Sequence, residues 1–425
     1  MLVYVQDIDG HPLMPTNRNC WVRKALESGK AIVLIRCPFT IRLTYETKTK
    51  VVQPITLGVD AGSEHIGLSA STETKEVYAS EVELRTDVTK NLSTRRELRR
   101  GRRYRKTRYR KPRFLNRVYS KNKGWLAPSI EAKIDAHMQA IKKVMQILPI
   151  SAIIVEVASF DMQKIKAISE GKPLPEGTDY QQGEQLDFWN VREYVLFRDN
   201  HTCQCCRGKS GCKELNVHHI ESRKTGGNAP NNLVTLCETC HNQYHRGEIK
   251  LPKTISRGES LRDAAFMGIM RFELLGRLRN MYPEIVSSTY GYITKNTRIT
   301  TNLPKSHAVD ALCISNHPKA ERSDSVYMQK RVRRHNRQLH KTNILRGGIR
   351  KANQAPKEVK GFRLNDKVMY KGQECFVHGR RTSGYFDLRL FDGTKVDPCA
   401  SWKNLTIIEH TNTTLTKEVT LSSHD

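Results

Sequence analysis

The chain has 425 residues, which is enough for about two to four domains. Its 72 lysines and arginines outnumber its 43 acidic residues, and the formal net charge of +29 predicts a nucleic acid as partner, because such side chains bind phosphates with release of counterions. No apolar run is long enough to cross a membrane and no signal peptide is predicted, so the composition argues against a membrane or secreted protein.

The first 84 residues predict a small domain followed by a set of strands. Residues 1–54 combine three β-rich runs with one short helix, which predicts a small N-terminal α+β domain. Three strand-like runs at 55–84 are joined by short polar turns and predict an antiparallel meander. Asp60 stands where the first of these strands ends.

The most basic segment of the chain lies at 94–117. Of the 19 residues from Arg95 to Arg113, 12 are Lys or Arg, and the helix propensity of arginine predicts a long exposed helix. Such a helix repels itself unless phosphates neutralise it, and a second basic cluster occupies 330–341. The predicted nucleic-acid-binding residues of the two clusters are Arg95, Arg96, Arg99, Arg100, Arg102, Arg103, Arg105, Arg108, Arg110, Arg331, Arg333, Arg334 and Arg337.

An α/β unit comes next, and a polar segment interrupts it. Apolar residues at helical spacing predict a helix at 128–148, followed by an apolar strand that contains Glu156. A carboxylate inside an apolar strand is costly unless it is paired or bound to a metal, so Glu156 is a candidate site residue. The polar, Gly- and Pro-containing residues 163–186 predict a linker.

The α/β pattern resumes in the last third of the chain. A helix is predicted at about 259–281, then a strand, and then a helix that carries His307 and Asp310 on one face. Residues 361–410 are β-rich and contain turn signals, which predicts a small barrel.

Two Cys-x-x-Cys pairs between these α/β parts predict a structural zinc site. Cys203 and Cys206 form the first pair, and Cys237 and Cys240 form the second. Four thiolates at this spacing can close a tetrahedron around the ion, and the spacing of Cys205 fits neither pair. Eleven cysteines without a predicted export signal favour zinc thiolates in a reducing interior over disulfides.

Four histidines and an asparagine lie between and after the cysteines. His218 and His219 are adjacent on a predicted strand and so face opposite sides, whereas His241 and His245 share a helix face. Together with Asn232 they resemble the ββα-metal fold of HNH endonucleases. The resemblance implies that His219 is the general base and that Asn232 braces the loop orienting it. It also implies that His218, His241 and His245 hold a divalent metal.

Three acids at the ends of predicted elements suggest a second catalytic centre. Asp60, Glu156 and Asp310 occur in the order of a strand meander, a helix and strand, an insertion and a final helix. This order resembles the RNase H-like nuclease core, in which carboxylates converge on two Mg²⁺ ions. The resemblance implies that the three acids bind Mg²⁺ or Mn²⁺, with His307 beside them as a further catalytic residue.

The whole arrangement resembles the IscB family of transposon-associated, RNA-guided nucleases. The most specific motifs are PLMP at 12–15, LGVDAG at 57–62, the HNH block and SHAVDAL at 306–312. The resemblance implies a monomeric cytoplasmic protein that acts on the nucleoid and binds a structured guide RNA and double-stranded DNA with a short adjacent motif. It also implies that the HNH site cuts the guide-paired strand and that the RuvC-like site cuts the displaced strand.

The predicted fold class is α/β: a split RNase H-like (RuvC) core with an inserted ββα-metal HNH domain, an Arg-rich bridge helix, a small N-terminal α+β domain and a β-rich C-terminal domain. The RuvC-like core is predicted in three parts, at 55–92, 118–165 and 251–325. The N-terminal PLMP domain is predicted at 1–54, the bridge helix at 93–117, the HNH domain at 187–250 and the RNA- and target-motif-interacting domain at 357–425. Linkers are predicted at 166–186 and 326–356.

Three other interpretations remain open from the sequence. A stand-alone HNH or RuvC-type endonuclease explains both groups of site residues but not the density of arginines at 95–113. An RNA-binding protein with inactive nuclease sites does not explain why the candidate catalytic residues are intact. A purely structural module with two zinc ions leaves Asn232 unexplained.

Overall fold

The structure is a computed structural model that describes residues 2–47, 51–104, 124–157, 191–222, 230–252, 254–256, 262–333, 356–411 and 413–421. The chain divides into two compact units. The first unit comprises Met1–Lys106, Pro128–Ser159 and Met270–Asp425, and the second comprises Thr107–Ala127 and Phe160–Ile269. The predicted linker at 163–186 lies outside the described residues.

Helices and strands are mixed throughout the described residues, so the predicted α/β class is confirmed. The helices are α1 (Asn19–Glu27), α2 (Val88–Tyr104), α3 (Pro128–Ile147), α4 (Val191–Arg198), α5 (Glu238–His245), α6 (Arg262–Met281), α7 (Gly291–Thr300) and α8 (His307–Ile314). The strands are β1 (Tyr4–Gln6), β2 (Ala31–Arg36), β3 (Phe39–Leu43), β4 (Ile55–Ala61), β5 (His65–Ser71), β6 (Glu76–Glu83), β7 (Ile150–Val157), β8 (Leu215–His219), β9 (Leu233–Cys237), β10 (Val286–Tyr290), β11 (Ser325–Arg331), β12 (Glu358–Val359), β13 (Phe362–Arg363), β14 (Lys367–Tyr370), β15 (Gln373–Arg380), β16 (Tyr385–Arg389), β17 (Lys395–Ser401), β18 (Thr406–Glu409) and β19 (Thr414–Thr420).

A seven-stranded sheet forms the centre of the first unit, in the order β10-β7-β4-β5-β6-β11-β19. The strands β4, β5 and β6 pair antiparallel, which confirms the predicted meander. Strand β7 joins the sheet parallel to β4, and β10 joins parallel to β7. The elements predicted before and after the polar interruption therefore belong to one sheet.

Helix α8 packs closely over β4 and β5 because two glycines leave room for its backbone. A Cβ atom on Gly58 would lie 2.0 Å from the carbonyl oxygen of Ala311, and one on Gly67 would lie 1.9 Å from that of His307. Helix α3 matches the predicted amphipathic helix, and its apolar face is buried, including Ile134 and Ile141.

Three smaller sheets belong to the described part of the same unit, and one of them is the two-stranded pair β12-β13. In the N-terminal part β1, β3 and β2 form a sheet with α1, and their shared apolar core confirms a small α+β fold there. Near the C-terminus β17-β16-β15-β14-β18 form a five-stranded antiparallel sheet. Strand β19 pairs with β11 in the central sheet, so the predicted C-terminal domain of 357–425 is too long at its end.

Among its described residues the second unit contains a β-hairpin, the short helices α4 and α5, and the first turns of α6. Strands β8 and β9 pair antiparallel, and α5 begins directly after β9. Its core is formed by the paired cysteines together with Val234 and Leu236. Across the part of the chain that the structure describes, no helix is long and apolar enough to span a membrane.

Candidate active sites

The first candidate site lies where β4 and β7 end side by side. Val59 pairs with Val155 in the parallel register, so Asp60 and Glu156 follow at the same level of the sheet. The first turn of α8 brings His307 and Asp310 to this level, with His307 Nδ1 at 2.7 Å from Asp60 Oδ2. The structure thus gathers acids from three elements that lie far apart in the sequence.

Two arginines and a histidine that the sequence did not single out complete this site. Arg271 Nη2 lies 3.3 Å from Glu156 Oε1 while its Nε donates to the Ala61 carbonyl oxygen at 2.9 Å, and Arg298 Nε lies 2.8 Å from Asp310 Oδ1. The His65 ring stacks on that of His307, with centroids 5.2 Å apart. Arg271 and Glu156 are 115 positions apart, so no local pattern reveals their pairing.

Burial and neighbouring charges shift the pKa values of three side chains in this site. Burial raises the pKa of Glu156, and the carboxylates of Asp60 and Asp310 raise it further. Burial also raises the pKa of Asp310, against the opposing effect of Arg298. The hydrogen bond to Asp60 raises the pKa of His307.

The fit to metal ions is incomplete in the present arrangement. Among the described residues, the three acids do not form a group in which all ligand atoms lie within 4.8 Å of one another. The arginines instead hold Glu156 and Asp310. The donor set is nevertheless the carboxylate oxygen set that Mg²⁺ prefers.

A compact group of four cysteines lies in the second unit. The Sγ atoms of Cys203, Cys206, Cys237 and Cys240 lie within 4.8 Å of one another, as zinc coordination requires. Burial alone would raise the pKa of Cys206, but hydrogen bonding to Ser210 and to backbone groups lowers it to about 6. A thiol that ionises this readily suits a zinc thiolate.

Three histidines form a second group in this unit. Ring nitrogens of His218 on β8 and of His241 and His245 on α5 lie within 4.8 Å of one another. Nε2 of His218 is buried and has no hydrogen-bond partner among the described residues, and Nε2 of His241 and His245 are 3.2 Å apart. Burial lowers the pKa of His218 to about 4, with smaller contributions from the neighbouring His241 and His245. Three converging imidazole rings fit a divalent metal.

The loop next to His219 is fixed by the buried side chain of Asn232. Its carbonyl oxygen accepts from the Glu221 N–H at 2.9 Å, and its amide donates to the Glu221 carbonyl oxygen at 3.1 Å. Arg198 holds the backbone before and after Asn232 by donating to the carbonyl oxygens of Pro230 and Leu233. The sequence did not point to Arg198, nor to Tyr244, whose ring contacts that of His218 at 4.8 Å between centroids.

The predicted basic residues fall into three groups. Arg95, Arg96 and Arg99 are exposed on α2, which begins at Val88 rather than at 94. Arg331 and Arg333 are half-buried, and Arg331 donates to Thr414 and Gln139, so its guanidinium is already partly occupied by protein groups. The described side chains do not include Arg100, Arg102, Arg103, Arg105, Arg108, Arg110, Arg334 and Arg337.

Two family models match parts of this chain. A model described as RRXRR protein matches residues 3–183, and a model described as HNH endonuclease matches residues 203–247. The chain belongs to the IscB/Cas9-like nucleases. In this IscB/Cas9-like nuclease the RRXRR match contains Asp60 and Glu156, and the HNH match contains the cysteine and histidine groups.

Similar structures include Cas9 proteins of two bacteria. Streptococcus thermophilus Cas9 in complex with an AGGA PAM has 13% identity and a TM-score of 0.30, covering 45% of this chain and 26% of that one. The type II-C Cas9 of Actinomyces naeslundii has 12% identity and a TM-score of 0.22, covering 62% of this chain and 60% of that one. This chain therefore spans between 26% and 60% of the length of these proteins.

A curated relative covers a shorter part of the chain. Anaredoxin of Nostoc sp. (strain PCC 7120) is 35% identical over 62 residues. These residues are 14% of this chain and 79% of anaredoxin.

Proposed function

We propose that this protein is an RNA-guided endonuclease that cuts both strands of DNA by metal-dependent phosphodiester hydrolysis, one strand at each candidate site. The observation that carries the proposal is the presence of two separate nuclease-type groups in one chain. One group consists of carboxylates gathered by β4, β7 and α8, and the other of histidines on β8 and α5. The net charge of +29 supports a polyanionic partner for both.

At the HNH site, His219 takes a proton from a water molecule as its oxygen attacks the phosphorus and the bond to the 3′ oxygen breaks. Asn232 holds the backbone beside His219 so that the imidazole keeps its orientation. His218, His241 and His245 would hold a divalent ion, which would stabilise the negative charge on the phosphate. The cysteine group would hold a structural zinc ion that secures this small domain.

The first site would act as a RuvC-like centre within an RNase H-like core. The sheet supports this proposal, since an antiparallel meander is extended on one side by two parallel strands. Asp60, Glu156 and Asp310 would bind Mg²⁺ or Mn²⁺ ions, which would stabilise the charge that develops during hydrolysis. His307 is hydrogen-bonded to Asp60, which favours its protonated form and allows it to donate a proton to the leaving oxygen.

Membership in the family supports a guide RNA as partner and a division of labour between the two sites. The exposed arginines of α2 would line the guide and its heteroduplex with DNA, as expected for a bridge helix. The C-terminal sheet would contact the RNA scaffold and the short DNA motif. The HNH site would cut the guide-paired strand and the RuvC-like site the displaced strand.

Strand-specific cleavage tests the proposal directly. With copurified RNA and Mg²⁺, the His219→Ala protein should nick only the displaced strand, and the Asp60→Ala protein only the paired strand. Each substitution should slow cleavage of the strand assigned to its own site by about 100-fold or more. Loss of both cuts by either folded variant would refute the two-site assignment. Sequence-specific cutting without any RNA would favour a stand-alone nuclease.

A further inference from the structure

Two exposed tyrosines form a stacked pair in the first unit. Tyr290 ends β10 and is 45% exposed, and Tyr292 opens α7 and is 57% exposed. Their ring centroids are 6.0 Å apart and their planes differ by 11°. A stacked pair of this kind presents a wide flat aromatic surface to the solvent.

The tyrosines flank a residue that touches the acidic centre. Gly291 lies between them, and a Cβ atom there would be 3.2 Å from Glu156 Oε1. Thr289, which directly precedes Tyr290, is the partner of Glu156 in the parallel register of β10 and β7. Thr294, one turn further, is buried, and its hydroxyl donates to the Tyr290 carbonyl oxygen at 3.5 Å. The aromatic pair is therefore built onto the same backbone segment that closes one side of the site.

The exposed face of α7 continues this surface. Lys295, Asn296 and Ile299 follow Tyr292 at positions i+3, i+4 and i+7 and are exposed. The surface thus combines aromatic rings, one cation and an apolar side chain. These features match the elements by which proteins bind single-stranded nucleic acid, namely base stacking and contact with phosphates.

We propose that Tyr290 and Tyr292 form a platform on which unpaired bases of the DNA strand stack as it enters the acidic centre. Carboxylates repel the phosphates of this strand, whereas neutral rings attract its bases without adding charge. A duplex hides the faces of its bases, so the platform selects single-stranded DNA. The inference rests on the proposed function in assigning the displaced strand to this centre.

Photo-crosslinking tests the contact independently of cutting. A single-stranded DNA with one 5-iodouracil is irradiated with the full chain in the absence of divalent ions, and the adducts are mapped by mass spectrometry. We expect adducts on Tyr290 or Tyr292 and their loss in the Tyr290→Leu, Tyr292→Leu double variant. Adducts confined to other residues, or equal yields from both proteins, would overturn the platform.

Cleavage rates then test its role. The double Leu variant should cut the displaced strand at least about tenfold more slowly, and the double Phe variant should restore the rate because Phe keeps the ring face. The double Leu variant should cut the paired strand at the wild-type rate. Tyr45→Leu is the matched control, because Tyr45 is 40% exposed, and it should cut both strands at the wild-type rates. Equal slowing of both strands would mean that the tyrosines bind the guide or a protein instead.

The two hypotheses fail in different ways. If crosslinks map to the tyrosines but no condition yields cutting of the displaced strand, the proposed function fails while the platform stands. If both strands are cut at wild-type rates by the double Leu variant, the proposed function stands while the platform fails.

Discussion

Gly67 lies directly beneath the carbonyl group of His307, with room for a hydrogen atom but not for a methyl group. We predict that Gly67→Ala pushes α8 away from β5 and destabilises the first unit by about 3 kcal/mol or more. His307 and Asp310 would move with the helix, so displaced-strand cutting should fall by about 100-fold. Thermal melting and strand-specific cleavage measure the two effects.

Gly276 provides the matched control, because it lies in α6 and, beyond the adjoining backbone of that helix, no atom of the described residues lies within 4 Å of its Cβ position. Gly276→Ala should leave cleavage unchanged and raise stability by no more than about 1 kcal/mol, through the better helix propensity of alanine. A Gly67→Ala protein that melts and cuts like the wild type would show that α8 does not pack as described.

Removal of the Asn232 side chain should affect only the HNH site. Asn232→Ala deletes both hydrogen bonds to the Glu221 backbone, which should cost about 2 kcal/mol or more because the groups are buried. The loop beside His219 would loosen, so paired-strand cutting should slow by at least about tenfold. Asn216→Ala on the same hairpin serves as the control. Unchanged strand rates in Asn232→Ala would contradict the bracing role.

Loss of zinc should unfold the second unit around its cysteine group. Cys237→Ser should lower the zinc content by one ion per chain, measured by plasma mass spectrometry, and should abolish paired-strand cutting. Displaced-strand cutting should persist, since the first unit has its own core. Cys212→Ser, outside the group of four, should retain both zinc and activity. Full zinc content in Cys237→Ser would refute the assignment.

Buried His137 should make the first unit sensitive to acid. Burial lowers its pKa from 6.5 to about 4, against the opposing hydrogen bond to the Lys133 carbonyl oxygen. The unfolded chain therefore binds the proton more readily, and stability is lost as the pH falls from about 6.5 to 4, by about 3 kcal/mol in total. His137→Leu should remove this loss. A pH-independent difference in unfolding free energy between the two proteins would contradict the prediction.

Local patterns in the sequence were sufficient to predict several parts of the structure. The spacing of the cysteines identified the group of four, and helical periodicity identified α3 within one residue of its observed end. The meander at 55–84 was recognisable because its strands are joined by short turns. Each of these signals lies within a few tens of residues.

Contacts between distant segments were not predictable in the same way. Arg271 and Arg298 look like ordinary basic residues of helices until the fold places them against Glu156 and Asp310. No local pattern in the sequence singled out β19 or indicated that this segment would join the central sheet rather than its nearer neighbours. Pairing over such distances depends on the whole fold and not on the segment itself.

The pairing of β11 with β19 has a consequence for the history of the protein. Arg331 ends the first strand, Thr414 begins the second, and the two residues are partners in register. The chain thus leaves the central sheet at Arg331, forms the C-terminal sheet β14–β18, and rejoins the central sheet at Thr414, directly opposite Arg331. A short turn could replace the C-terminal sheet without breaking the central sheet, and a different insert could occupy its place. With the role proposed above for the C-terminal sheet, exchange of this segment would allow recognition of new nucleic acids to evolve while the candidate cleavage sites stay intact.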